Sequence, residues 1–580
     1  MNNNPRIYLW IALALVGWLN YQAWMTDYGP RPGANTISSA QNPGAASNTG
    51  GAGDLSSKIP QASKAEQPTP GDNKQPVTSP GATSATSTAP AEAASASAPS
   101  ADAKAVHVHT DVLDLDISTL GGTIIQADLL KYTKVKGEAA LVRLENEDDP
   151  LTAYVLQSGL IGPGKGSYPT HLAMWSTPQT SYDIDDAPEL RVPFTWTSDQ
   201  GVTVTKTFTF HRGQYSIGLD YSVQNHGDAP LPIAPYAQIL RNDPRTKSSM
   251  FNVESRAFHG PAMDDGKKYR KLDLAADSED SHLSREVNDG WIAAVQHQFI
   301  SAIVPPKDAK YRFTMSLSGD QYLLAATGPT VTVAPGSSAT FGETLYVGPK
   351  LQSQLEKVSP RLDLVADYGL LTTLAKPLFI ALDWVHGVTG NWGIAIILVT
   401  VLLKLLFYPL SEASGRSMAK MKLLSPRIKN LQETYKDDRD KLGRAMMDLY
   451  KREKVNPATG CLPMIIQIPV FFAFYQVLLE SVEMRQAPFA LWIHDLSSRD
   501  PLFILPAIMA AAMFMQYKLN PTAADPVQQK VFMIMPLVMS FTFAFFPAGL
   551  VLYWVTNTLL SIAQQWNINR RIAAAAAKKN

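Results

Sequence analysis

The chain has 580 residues, with 51 Lys plus Arg against 51 Asp plus Glu, so it carries no formal net charge at pH 7. That balance hides strong local segregation of charge, so the segments are read one by one, and no DNA partner is expected. Its one cysteine, Cys461, excludes an intramolecular disulfide and a zinc site built on several cysteines. Cys461 opens an apolar run and reads as a small buried hydrophobe.

In chain order, the first element is an apolar run from Ile7 to Met25, with Tyr8 and Trp10 at one end and Tyr21 and Trp24 at the other. At 1.5 Å per residue it covers roughly 28 Å, about the thickness of the hydrocarbon layer. Paired aromatic ends are typical of a spanning helix. No small-residue cleavage site follows, so residues 1–28 are expected to be a retained anchor. Residues 29–105 are dominated by Pro, Gly, Ala, Ser, Thr and Asn. Such a segment cannot bury enough apolar area to offset its ordering entropy, and a disordered linker is expected.

Over 106–349 the pattern has a period of two. Leu113, Leu115 and Ile117 alternate with Asp114 and Asp116, and Val202 to Phe210 alternates in the same way. Gly121-Gly122, His226-Gly227-Asp228 and Pro335-Gly336 mark turns. This predicts half-buried antiparallel strands in two packed sheets. His107 and His109 share one strand face. Without a further ligand cluster in the sequence they read as solvent-facing, and no metal site is assigned.

Residues 350–377 contain Leu364, Val365, Tyr368, Leu371 and Leu374 at helical spacing, which predicts an amphipathic helix over about 362–374, either lying on the membrane surface or packing as an ordinary helix. Five more apolar segments follow, near 379–409, 462–482, 502–517, 531–546 and 549–566. With the anchor they make six predicted transmembrane helices. The loop over 411–460 is rich in Lys and Arg, and the tail over 571–580 is basic. Both are expected on the cytoplasmic side, which puts both termini inside and the large β domain outside. Two apolar stripes in the loop, one through Met418 and Met421 and one through Met446 with Met447 beside it, predict a helical hairpin. Each stripe could simply glue helix to helix, or offer a flexible surface to varied apolar partners. Its basic face could meet ribosomal RNA or anionic lipid.

Lys404 lies within the second predicted span, in Thr400-Val401-Leu402-Leu403-Lys404. A lysine near the bilayer centre costs about 2.5–3.5 kcal/mol on insertion scales, so it faces protein or water rather than lipid. Thr400 is one turn earlier on the same face. Tyr553, Asn557 and Ser561 form a polar stripe on the last span, while Gln467 and Gln516 add amides. No acidic residue lies deep in these segments. Lys404 either snorkels to the boundary, or charges a wet cavity in which an acidic or polar segment is stabilised partway across the membrane. Nothing in the pattern calls for a cofactor.

The strings Val365-Ala366-Asp367-Tyr368-Gly369, Gly390-Asn391-Trp392-Gly393, Tyr408-Pro409-Leu410, Gly460-Cys461-Leu462-Pro463, Val482 to Phe489 and Leu491 to Leu496 resemble the YidC family of membrane insertases. The resemblance implies an α-helical polytopic membrane protein of the bacterial inner membrane with a periplasmic β-supersandwich. Its core would be the spans within 378–410 and 461–570. It also implies a cytoplasm-open hydrophilic groove with one positive residue, here Lys404 where many relatives carry arginine. Thr400, Gln467, Tyr553 and Trp554 match groove positions, and the third and fifth spans match the surface along which clients slide. Implied partners are newly made membrane proteins, the Sec translocon, the ribosome and the lipid bilayer. Two other classes make different demands on the sequence. A secondary transporter would show inverted repeats, interrupted helix pairs or an intramembrane acidic relay, and the sequence pattern gives none of these. A membrane assembly scaffold acting only with the translocon would need the same helices but not the charge at position 404. Motifs of a membrane-embedded enzyme are absent.

Overall fold

The structure, a computed structural model, describes Ile59 and residues 103–577, apart from 164–167, 244–257, 436–437, 454, 456–461 and 520–525. The predicted anchor, Cys461 and nearly all of the predicted linker lie outside the described residues. Ile59 departs from the linker reading. It is buried against Ile161, Ala234, Tyr236 and Ala325, because an isolated aliphatic side chain finds an apolar patch on the β domain.

Alternation becomes structure as expected. β1 (Ala105–His109), β2 (Leu113–Ser118) and β3 (Thr123–Thr133) lie side by side. In β2 Leu113, Leu115 and Ile117 are buried while Asp114 and Asp116 look outward. Among the described strands, eleven form one sheet and eight form a second. Their inner faces share a core that includes Phe208, Tyr221, Trp291 and Tyr346. One inward position of the strand Val202–His211 is Lys206, which is fully buried. Its ammonium donates to the carbonyls of Gly121, Gly122 and Ser158 at 2.9, 2.9 and 3.2 Å, so the buried charge is hydrogen-bonded.

Beyond the β domain comes α1 (Gln352–Val358). The helix predicted over 362–374 does not form as one piece. Two 3-10 turns, Leu362–Val365 and Gly369–Leu371, take its place. Left-handed backbone at Arg361 (φ 65°) and Gly369 (φ 62°) interrupts α-helical hydrogen bonding there. The amphipathic helix lies further along, as α2 (Thr372–Thr389), with Ile380, Trp384 and Val388 strongly exposed at four-residue spacing. It absorbs the start of the predicted second span. Gly390 (φ 66°) ends α2, and Asn391 caps α3 (Trp392–Leu406) by accepting from the Ile394 N–H at 3.0 Å.

α4 (Tyr408–Thr434) follows α3 at a bend of 69°, with Pro409 in its first turn where a missing N–H costs nothing. Then come α5 (Arg439–Arg452), α6 (Leu462–Glu480), α7 (Ile504–Leu519), α8 (Pro526–Phe543) and α9 (Ala548–Ala577). α4 and α5 make the predicted hairpin. Leu424 and Ile428 are buried with Val455, and Met421 packs on them. Met418 and Met446 are half-buried, and Met447 is exposed. Among the described residues no single helix is long and apolar enough to cross a membrane. α3 with the first half of α4 passes only as a bent pair, and α6, α7 and α8 contain shorter apolar stretches.

Polar bonds join the β domain to this helical body. Lys350 donates to Glu480 at 2.9 Å, with both side chains almost fully buried. Arg485 donates to Gln298 Oε1 at 2.9 Å and to the carbonyls of Thr133 and Lys134. Gln486 donates to the Thr133 carbonyl at 2.8 Å, and His297 contacts the Leu479 carbonyl at 2.8 Å.

Candidate functional site

Lys404 sits in the last turn of α3, where the partial negative charge of the helix end favours a cation. Its ammonium donates to Ser561 Oγ on α9 at 2.8 Å. Ser561 in turn donates to the Asn557 carbonyl at 2.7 Å, so its remaining lone pairs point to the lysine. One turn back along α9, Asn557 Oδ1 accepts from Gln467 Nε2 on α6 at 2.5 Å. Three helices thus contribute one polar cluster. Among the described residues no carboxylate pairs with Lys404.

The cluster borders a narrow cavity of about 30 Å³, room for a water or two, lined by Thr400, Lys404, Gln467, Tyr553 and Asn557 with apolar neighbours. Thr400 is buried and turns its hydroxyl back to the Ile396 carbonyl at 2.6 Å, so it shapes the wall more than it offers a donor. The Tyr553 ring stacks on Phe474, with centroids 4.4 Å apart. Ser411 also lines the cavity and was not singled out from the sequence. It lies two turns beyond Lys404 but across the α3–α4 bend, so helical spacing gave no clear signal.

Two predicted groove residues stand elsewhere. Trp554 packs edge-on against Phe471 at 4.9 Å and beside Phe543 at 5.3 Å, in an aromatic cluster. Gln516 is half-buried on α7 and is not among the cavity-lining residues. A polar residue within an apolar run marks an inward face, but the run alone does not say which neighbour that face meets.

Residues 384–575 match the family model described as 60Kd inner membrane protein, and residues 105–381 match the YidC periplasmic domain. A membrane protein insertase YidC from Thioalkalivibrio sulfidiphilus is 43% identical over 588 residues, covering 99% of this chain and 100% of the relative. The chain belongs to the YidC family. A YidC from Bordetella petrii is 47% identical over 81% of this chain and 84% of its own length. A crystal structure of an active YidC insertase covers 79% of this chain and 92% of its own at 19% identity and a TM-score of 0.37, too loose a likeness to add to the family assignment. YidC membership places the chain in the inner membrane and makes its two-sheet domain the family's periplasmic domain.

Proposed function

We propose that this chain inserts newly made membrane proteins into the inner membrane, and that Lys404 supplies the charge that lets polar segments of a client enter. The observation that carries this reading is the bond from Lys404 to a neutral hydroxyl, Ser561, beside a polar cavity with no carboxylate partner among the described residues. A cation left uncompensated in apolar surroundings is costly, and a client's acidic or polar segment would relieve that cost while its own desolvation is offset. Arrival of such a segment would widen the narrow cavity. The adjoining apolar helix of the client would then move into lipid, driven by its own burial.

α6 and α8 offer surfaces for that exit. Ile465, Ile468 and Phe472 are exposed on α6, as are Leu537, Val538 and Phe541 on α8. In the full proposal the chain has six spans counting the anchor, both termini are cytoplasmic, and the α4–α5 hairpin faces the ribosome. The Sec translocon is a further partner in that proposal.

A photoreactive residue in the apolar segment of a single-span client tests the route. Crosslinks to α6 near Phe472 and α8 near Phe541 support it. A scaffold working only through the translocon would give crosslinks to the translocon and none to these helices.

A further inference from the structure

On the outer face of the β domain, far in sequence from the groove, β1 and β2 bring two histidines and two aspartates together. They pair antiparallel, with His107 opposite Asp116 and His109 opposite Asp114. Residues two apart share a face, and so do residues directly opposite. The other face of the same pair carries Val106, Val108, Leu113 and Leu115, all buried. The four polar side chains are therefore held by a packed sheet and not by a loop.

The distances are those of a ligand set. His107 Nε2 lies 3.0 Å from Asp114 Oδ1, and His109 Nδ1 lies 3.8 Å from the same oxygen. One ligand atom from each of the three residues lies within 4.8 Å of the others. A tetrahedral ion held at about 2.0–2.1 Å by nitrogen and oxygen has ligand-to-ligand edges of about 3.3–3.4 Å, which the first two separations straddle. The 3.0 Å approach is close enough for an ion pair but is not directed as a hydrogen bond. Asp114 Oδ1, hidden from solvent, is left without a donor. A metal lying between the three atoms would use that lone pair.

A further carboxylate completes the pattern. His107 Nδ1, the ring nitrogen not facing Asp114, lies 3.1 Å from Asp116 Oδ1. An outer carboxylate that holds the far nitrogen of a ligating imidazole fixes its tautomer and orientation. The histidine side chains are 49% and 44% exposed, so an ion has a way in and water can fill the fourth position.

We infer that His107, His109 and Asp114 form a divalent transition-metal site, oriented by Asp116, that takes Zn²⁺ in the periplasm. Two imidazoles and a carboxylate in tetrahedral reach suit zinc better than the oxygen-rich shells of calcium or magnesium. The ion would tie β1 to β2 near an edge of the larger sheet, where, among the described strands, β1 is otherwise flanked only by the three-residue strand Ser181–Asp183.

The test uses full-length protein in detergent, purified without a polyhistidine tag and stripped of metal. Zn²⁺ is titrated against a chromogenic chelator, and Co²⁺ is added separately for its visible spectrum. The proposal expects one site per chain, a tetrahedral Co²⁺ absorption and an upward shift of the unfolding temperature on adding Zn²⁺. His107→Ala, His109→Ala and Asp114→Asn abolish all three. Asp116→Asn weakens binding by about 10–100-fold. His226→Ala, another exposed histidine, leaves binding intact. Metal-free melting curves of the variants verify that they are folded. No Zn²⁺ binding at micromolar concentration, or stoichiometry unchanged in the His107→Ala/His109→Ala double variant, overturns the assignment and leaves an ordinary surface cluster of imidazoles and carboxylates.

Discussion

Glu145 is fully enclosed between the sheets, bonded to the Ser301 hydroxyl through one oxygen, with the other unpartnered. Burial pushes its carboxyl up from 4.5 to about 7, with the Ser301 bond opposing. Between these values the folded domain holds a proton that the unfolded chain releases, so stability falls as pH rises through that window and levels off above it. Glu343 and Glu483 are pushed up to about 7 by burial and add slope of the same sign. Glu145→Gln is expected to flatten part of the decline, read from unfolding temperatures between pH 5 and 8. An unchanged slope would mean that Glu145 is charged when folded. The pair Lys350–Glu480 calls for a different expectation. Removing one partner, as in Glu480→Gln, leaves a buried ammonium unpaired and should cost about 3–5 kcal/mol, whereas Lys350→Met with Glu480→Met should recover most of the loss in denaturant unfolding. Lys404, Asn557 and Ser561 were legible from sequence because polar groups in apolar runs are expensive and must face inward. The Lys350–Glu480 pair was not, since its partners meet only when the β domain docks.

At the scale of elements, Gly393 explains part of a string that sequence reading could recognise but not justify. A Cβ there would lie 2.0 Å from the Phe489 ring, and Asn391 donates to the Phe489 carbonyl at 2.9 Å. The start of α3 is thus seated on the outer loop between α6 and α7. Gly393→Ala is expected to push the two apart and destabilise the protein by about 1–3 kcal/mol, while Phe489→Ala in the same chain relieves the clash. Equal stability of Gly393→Ala and the native chain would contradict that seating. The β strands were readable because alternation and burial share a period of two. The division of 362–409 into turns, α2 and α3 was less so. Its breaks depend on left-handed backbone at Arg361, Gly369 and Gly390, and an arginine gives no warning of that conformation.

At the scale of the whole molecule, the outer loop after α6 carries Arg485 and Gln486 into the β domain, so the sheets and the helical body are mechanically joined. Arg485→Ala should raise hydrogen exchange around residues 133–136 and 297–299 while leaving α3 and α9 protected, because it removes bonds at the junction alone. The order of the described segments was legible from composition, since an alternating domain and apolar helices need different solvents. The docking between them was not, because it rests on side-chain bonds between residues 130 to 353 apart in the chain. Liposome insertion of a small acidic-tailed client tests the role of the charge at position 404 most directly. Lys404→Arg should retain insertion, Lys404→Ala should reduce it, and Lys404→Glu should lower it by about tenfold or more, equivalent to about 1.4 kcal/mol of barrier. Equal insertion by all three variants would contradict the charged-groove account.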